Sequence, residues 1–145
     1  GGIGTGRQML AAMALGANGV QVGSRFAASE ESSAHEIFKQ KIVEAKDGDT
    51  ILTLKNVVPV RLIKNKFWEQ VRELEIKGAS RDDLKDLLGR GRAKRGMFEG
   101  NADDGELEIG QVSALIDEIK PAAVIVREMM KEFEEAKKEV VSYEL

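Results

Sequence analysis

Residues 1–26 read GGIGTGRQMLAAMALGANGVQVGSRF. A glycine cluster leads into an Ala/Met/Leu-rich run, and a short β-branched run closed by another glycine follows. Ala, Met and Leu are strong helix formers. Thr5 stands where an N-cap belongs and Gly16 where a glycine ends a helix. GVQVGSRF comes next, and β-branched residues held between glycines predict a buried strand. Glycine turn, helix, strand, glycine turn is one repeat of an α/β fold with parallel strands. A chain that opens on such a turn, with no Met and no strand before it, is expected to begin inside a larger fold.

The turns also carry the first chemical signal. Gly1, Gly2, Gly4 and Gly6 precede a helix N-terminus, where unpaired N–H groups and the helix dipole favour an anion. The spacing is not the G-x-G-x-x-G of a dinucleotide fold, and no Lys-Ser/Thr follows to make a nucleotide-binding P-loop. Taken alone, the cluster is equally a tight turn. The second turn, in QVGSR, adds weight. In a barrel of parallel strands, the loops after the last two strands form a phosphate site. Gly23 would let the backbone approach a phosphate, Ser24 would add a hydroxyl donor, and the Gln21 amide would reach a polar ring or ribityl oxygen.

Composition narrows the classes. The 145 residues suffice for one domain with a sizeable core. A net charge of −3 argues against nucleic acid as the main partner. Arg90, Arg92, Lys94 and Arg95 stand among acidic residues and read as a solvated face. With no cysteine, disulfides, thiolate zinc sites and cysteine nucleophiles are excluded. One histidine cannot build a multi-histidine metal site, so no metal is expected. No apolar run approaches the ~20 residues of a membrane span, and a cytoplasmic protein is expected.

Beyond the first unit, Ala34, Ile37, Phe38, Ile42 and Ala45 share one helical face. TILTLKNVVPVRLI predicts one or two short strands, with Pro59 at an edge or bend. NKFWEQVRELEIKG and SRDDLKDLLGRG predict helices that meet near Gly78 and Ser80. RAKRGMFEGNADDGELE predicts a long glycine-rich loop, and long loops in compact domains are often functional. Residues 109–141 predict helix restarted near Pro121 at a first-turn position, with an apolar stripe of Val126, Met129, Met130, Phe133 and Ala136.

The opening segment closely resembles the end of the nitronate monooxygenase family, once called 2-nitropropane dioxygenases, which includes the flavin-type enoyl-acyl carrier protein reductase II. Members carry A-G-G-I-x-x-G, an Ala/Leu-rich helix ending in L-G-A, then G-V-Q-x-G-T-R-F. Ser24 stands here for the usual Thr and keeps the hydroxyl. ESSAHEIFKQKI, VPVRLIKNKF and EGNADDGELEIGQVSALI resemble later family segments. The resemblance implies the C-terminal part of an FMN-binding TIM barrel, its last βα units, plus a mostly helical extension. It implies terminal barrel units with phosphate-binding turns over 1–46, a lid or extension with short strands and helices over 47–108, and C-terminal helices packing back on the barrel over 109–145. It implies FMN contacts from Gly1, Gly2, Ile3, Gln21, Val22, Gly23 and Ser24. The catalytic histidine is expected upstream, so no catalytic residue is assigned within this chain, and the piece alone is expected to be inactive. NAD(P)H is the implied co-substrate, the substrate a small molecule or an acyl carrier protein-bound group, and the whole protein a homodimer.

Two chemistries fit that family: reduction of an enoyl-acyl carrier protein in fatty acid synthesis, and oxidation of alkyl nitronates with O₂. VRLIKNKF and DGDTILT look closer to the reductase branch. An alternative of another class is a non-catalytic helical module that binds phosphate or a partner, with residues 1–27 closed against the rest. The barrel reading instead expects an exposed apolar face on the first helix and strand. Pairing of two fragments into a barrel-like dimer is a third reading.

Single residues divide between site and scaffold. His35 is expected to be structural at a helix start. Arg25 is expected to meet a carboxylate across the fold more readily than a phosphate. Lys64, Asn65 and Lys66 are expected in a surface loop, although they suit a nucleotide phosphate or an acyl carrier protein. Phe67 and Trp68 should pack the extension. Met97, Phe98 and Glu99 are candidates to border a substrate channel. Gln111 opens a helix that in the family approaches the flavin side. Asp103, Asp104, Glu106 and Glu108 lack the spacing of an EF-hand and read as a solvated acidic loop.

Overall fold

The computed structural model describes residues 1–143 and shows an α/β chain in which helices dominate. α1 covers Gly6–Ala14, α2 Ser24–Ala27 and α3 Glu36–Glu44. A hairpin of β1 (Thr50–Thr53) and β2 (Val60–Ile63) leads to α4 (Lys66–Ile76), α5 (Arg81–Leu88) and α6 (Arg92–Met97). A 3-10 helix at Gln111–Leu115 and the long α7 (Ala122–Val141) complete it.

Local sequence explains the helix starts. Thr5 and Gln8 form a reciprocal capping box on α1, and Ser80 and Asp83 form another on α5. His35 caps α3 by accepting from the Ile37 amide through Nδ1 at 3.2 Å. Asn65 caps α4 through Oδ1, while its Nδ2 donates to the carbonyls of Ala102 and Gly105, each at 2.8 Å.

β1 and β2 pair antiparallel, Thr50 opposite Ile63, with Pro59 just before β2. Residues 107–109 continue the sheet on the far side of β2: Ile63 N–H donates to Leu107 O and Ile109 N–H to Arg61 O. Neighbouring strand residues face opposite ways, so this small sheet divides two cores. Ile63 joins Ala28, Phe38, Ile42, Leu107, Ile109 and Ile116 on one side. Leu62 joins Leu54, Phe67, Val71 and Leu84 on the other. Leu54 holds a left-handed backbone (φ 53°), and its N–H is captured by Glu75 Oε1 at 3.1 Å.

The expected strand at GVQVGSRF is not formed. Residues 18–23 pair with no strand among the described residues, and Ser24–Ala27 is a short helix instead. A strand exists through its ladder partners, and none lies beside this segment. The helix expected across 109–120 is replaced by one short 3-10 turn, after which Ile116 is extended. Pro121 disfavours helical backbone just before it, and it takes the N-cap of α7, one residue ahead of the first turn. The apolar stripe of α7 is also shifted. Ile125, Met129 and Ala136 are buried, whereas Val126 and Met130 are about half exposed. On α3, Ile37 faces solvent while Phe38, Ile42 and Ala45 are buried. The glycine-rich stretch is partly helical, since α6 lies within it. Arg92 is not on a solvated face: its guanidinium donates to Leu87 O, Leu88 O and Asp104 O and lies over the Phe67 ring at 4.6 Å.

The most extensive helix contact is α1 on α7, and Gly6 makes it possible. A Cβ there would run into the Met129 carbonyl oxygen and the Phe133 amide nitrogen, with Glu132 Cβ only 2.7 Å away. Beyond this contact, Leu15 is 91% exposed, and an apolar groove of about 250 Å³ runs between Leu10, Ala11, Ala14 and Val140. Residues 144 and 145, the end of the expected 109–145 unit, lie outside the described residues. Gly6→Ala is expected to cost about 2–3 kcal/mol in urea unfolding, the scale of overpacking a filled site. Gly23→Ala should change stability by about 0.5 kcal/mol or less, because its backbone is right-handed and the space around it is open.

Candidate functional site

Backbone hydrogen bonding distinguishes the residues of the first glycine turn from one another. Around the start of α1 the amides of Gly4, Thr5, Gly6 and Gln8 are satisfied internally, while that of Arg7 has no protein acceptor among the described residues. Gly4 and Thr5 donate to Gln8 Oε1 at 2.8 and 3.2 Å, and Gly6 donates to Glu132 Oε2 at 2.7 Å. The helix N-terminus expected as an open anion site is therefore largely filled by the protein's own side chains. One step earlier the situation reverses. Among the described residues, the amides of Gly2 and Ile3, and those of Gln21, Val22, Gly23 and Ser24, have no protein acceptor. Gly1, Gly2, Gln21 and Gly23 are exposed, and Ile3, Val22 and Ser24 are half-buried.

A shared neighbour supports both turns. A Cβ on Gly4 would stand 2.8 Å from Val112 Cγ2, and one on Gly110 would stand 2.8 Å from Ser24 Oγ. Gly110 N–H donates to Ser24 Oγ at 3.1 Å. That bond uses an acceptor lone pair of the hydroxyl and leaves its proton to donate elsewhere. Space above the turns is open: no atom lies within 4 Å of a Cβ built on Gly1, Gly2 or Gly23. Uncommitted N–H groups and a hydroxyl proton are the donor types that a phosphate monoester accepts from. Their chemistry matches what a phosphate such as that of FMN accepts. Ser113, on the same 3-10 helix as Val112, buries a hydroxyl that has no partner among the described residues. Val112, Ser113 and Glu132 were not singled out from the sequence, and Gly110 only as part of a family-like stretch, because their roles arise only when distant segments meet.

The remaining candidates fall into place as scaffold. Arg25 is buried, donates to Glu118 O at 3.2 Å and faces Glu128 at 3.7 Å, so it meets a carboxylate as expected. It lines a cleft of about 380 Å³ with Gly4, Thr5, Lys120, Glu128 and Glu132. His35 is a cap, with its ring packed on Gly100. Lys66 pairs with Asp103 at 2.7 Å, and Lys64 lies over the Trp68 ring at 5.6 Å. Phe67 is fully buried. Met97 packs on the core, whereas Phe98 is half exposed. Gln111 is exposed at the start of the 3-10 helix. Among the described residues, no group of three or more His, Asp or Glu is arranged to hold a metal, and no helix is long and apolar enough to cross a membrane.

Comparison with known proteins gives a consistent picture. Residues 1–132 match the family described as nitronate monooxygenase. A probable nitronate monooxygenase of Staphylococcus saprophyticus is 35% identical over 133 residues, covering 86% of this chain and 35% of that protein. One from Bacillus subtilis is 36% identical over 115 residues, covering 78% of this chain and 33% of that protein. Among solved structures, FabK from Thermotoga maritima superposes with a TM-score of 0.91 at 39% identity, over 99% of this chain and 46% of that one. Nitroalkane oxidase from Streptomyces ansochromogenes gives 0.72 at 30%, over 97% of this chain and 40% of that one. The chain thus spans about a third of the length of these curated relatives.

One acidic residue departs from the expected solvated loop. Glu106 is buried, and its carboxyl is pushed up to about 7, first by burial and then by the charge of Glu108, with Arg92 opposing. The folded protein therefore holds a proton that the unfolded chain releases nearer 4.5. The stability this gives is complete below about pH 4.5 and is lost as pH rises through about 7. Glu106→Gln, which keeps the neutral form, should flatten the stability profile between those values. It should also be more stable than the parent at pH 8, as read by urea midpoints across pH.

Proposed function

The chain belongs to the nitronate monooxygenase family, and we propose that it supplies the phosphate-binding end of an FMN-dependent oxidoreductase built on a TIM barrel. The observation that carries this reading is the contrast in backbone hydrogen bonding. Amides of Gly2, Ile3 and Gln21–Ser24 are uncommitted while those of Gly4, Thr5 and Gly6 are taken. In this reading Gly2, Ile3 and Gly23 donate backbone N–H groups to the phosphate, and Ser24 donates its hydroxyl proton while Gly110 holds its oxygen. Gly1 and Val22 border the same turns, and Gln21 offers its side-chain amide to a ribityl or ring oxygen. Bound FMN would supply two-electron transfer between NAD(P)H and substrate, with the protein orienting the group and setting its surroundings. The catalytic histidine of such an enzyme would lie outside residues 1–145.

For substrate we favour the 2,3-double bond of an enoyl-acyl carrier protein, in a cytoplasmic enzyme of fatty acid synthesis. The greater likeness to FabK than to nitroalkane oxidase supports this choice. The second reading, oxidation of an alkyl nitronate with O₂, is supported by the names of the curated relatives. A homodimer of the whole protein remains part of the proposal. Whole enzyme carrying this segment should show flavin absorbance near ~450 nm and consume NAD(P)H with a crotonyl thioester faster than it turns over nitronates. Faster turnover of nitronates would select the second reading. Ser24→Ala should weaken FMN binding by about tenfold to a hundredfold, the worth of one hydrogen bond to a charged group, and leave riboflavin binding unchanged.

A further inference from the structure

The boundary between satisfied and uncommitted amides falls between Ile3 and Gly4, and two side chains draw it. Gln8 takes Gly4 and Thr5 from within α1 itself. Glu132 takes Gly6 from α7. Only the second bond ties the start of α1 to another element. The tie is short, at 2.7 Å, and its acceptor is a carboxylate, so it is of the stronger, charge-assisted class. It acts where the helices are in closest contact, because Gly6 has no side chain to separate them. The other polar link, Arg7 with Glu139, lies further along α1 and is exposed on both sides, so it contributes little to placement.

We propose that Glu132 is a positioning residue for the phosphate turn. By accepting the Gly6 amide it fixes the register at which α1 begins on α7. The backbone then runs through Gly4 and Thr5, which Gln8 pins, to Ile3 and Gly2. The direction in which those two residues present their N–H groups is therefore set by a side chain from the far end of the chain. Glu132 does not touch the phosphate in this scheme; its carboxylate is already engaged. The inference rests on the FMN-phosphate reading above.

The test follows the backbone amide resonances of Gly2, Ile3, Gly23 and Ser24 while the chain is titrated with FMN and, separately, with riboflavin. The two ligands differ only in the phosphate, so the ratio of their affinities isolates it. Glu132→Ala should lower FMN affinity about tenfold and leave riboflavin unchanged, reducing the ratio. Glu132→Asp, which keeps the charge but shortens the reach, should do the same and covers the case in which the alanine variant fails to fold. Glu132→Gln still offers an acceptor oxygen and should restore the ratio to within about twofold. A purely structural role would lower the melting temperature without moving the ratio. If the parent responds to FMN at these amides but both the alanine and aspartate variants keep its ratio, the inference fails while the phosphate reading stands. The same holds if glutamine fails to rescue. If the parent amides respond equally to FMN and riboflavin, the phosphate reading fails and the inference falls with it.

Discussion

Gly6 against α7 is the contact on which the arrangement of this chain depends. It brings the first helix onto the last at a distance no other residue type permits, and it places the Glu132 carboxylate on the first free amide of α1. The start of the chain is thereby anchored to its end. The rest can be organised independently: a hairpin separates two apolar clusters, and Arg92 ties α5 to the 104 loop. The two glycine turns then rest on a common support, the segment from Gly110 to Val112.

This construction separates amides that hold the turn from amides left open. Amides of Gly4, Thr5 and Gly6 at the start of the first helix are taken by Gln8 and Glu132. The donors left over lie one step outward, on Gly2 and Ile3, and across on Gln21–Ser24. A site whose donors are preset loses less on binding than one that must be ordered by its ligand. The same economy explains Ser24, whose oxygen is held by a backbone amide while its proton stays available. The family match, the curated relatives and the superposition on FabK agree on the family to which the segment belongs.

Much of this was legible in the sequence, and the failures have physical causes. Thr5 and Ser80 announce helix starts because capping is a local interaction between residues three apart, whereas Asn65, expected in a surface loop, is the cap of α4. The hairpin at 50–63 is likewise readable from its β-branched pattern and Pro59. GVQVGSRF misled because strand propensity is realised only beside a partner strand, and the described residues provide none. The α7 stripe slipped because which face is buried depends on where α1 docks, and Gly6 decides that. Arg92 read as a surface cation, yet three carbonyls and an aromatic ring draw it inward. Glu106 read as solvated, but its burial depends on segments that meet only after folding. Which amides of the glycine turns remain uncommitted depends on the long-range bond from Glu132 as well as the local bonds to Gln8.

Amide hydrogen exchange, resolved by residue and run with and without FMN, tests the central claim most directly. The account predicts that Gly4, Thr5 and Gly6 are protected in the free chain, while Gly2, Ile3 and Gln21–Ser24 exchange quickly. Those fast amides should gain protection with FMN and not with riboflavin. Rapid exchange at Gly6 in the free chain, or equal protection by both ligands, would contradict it.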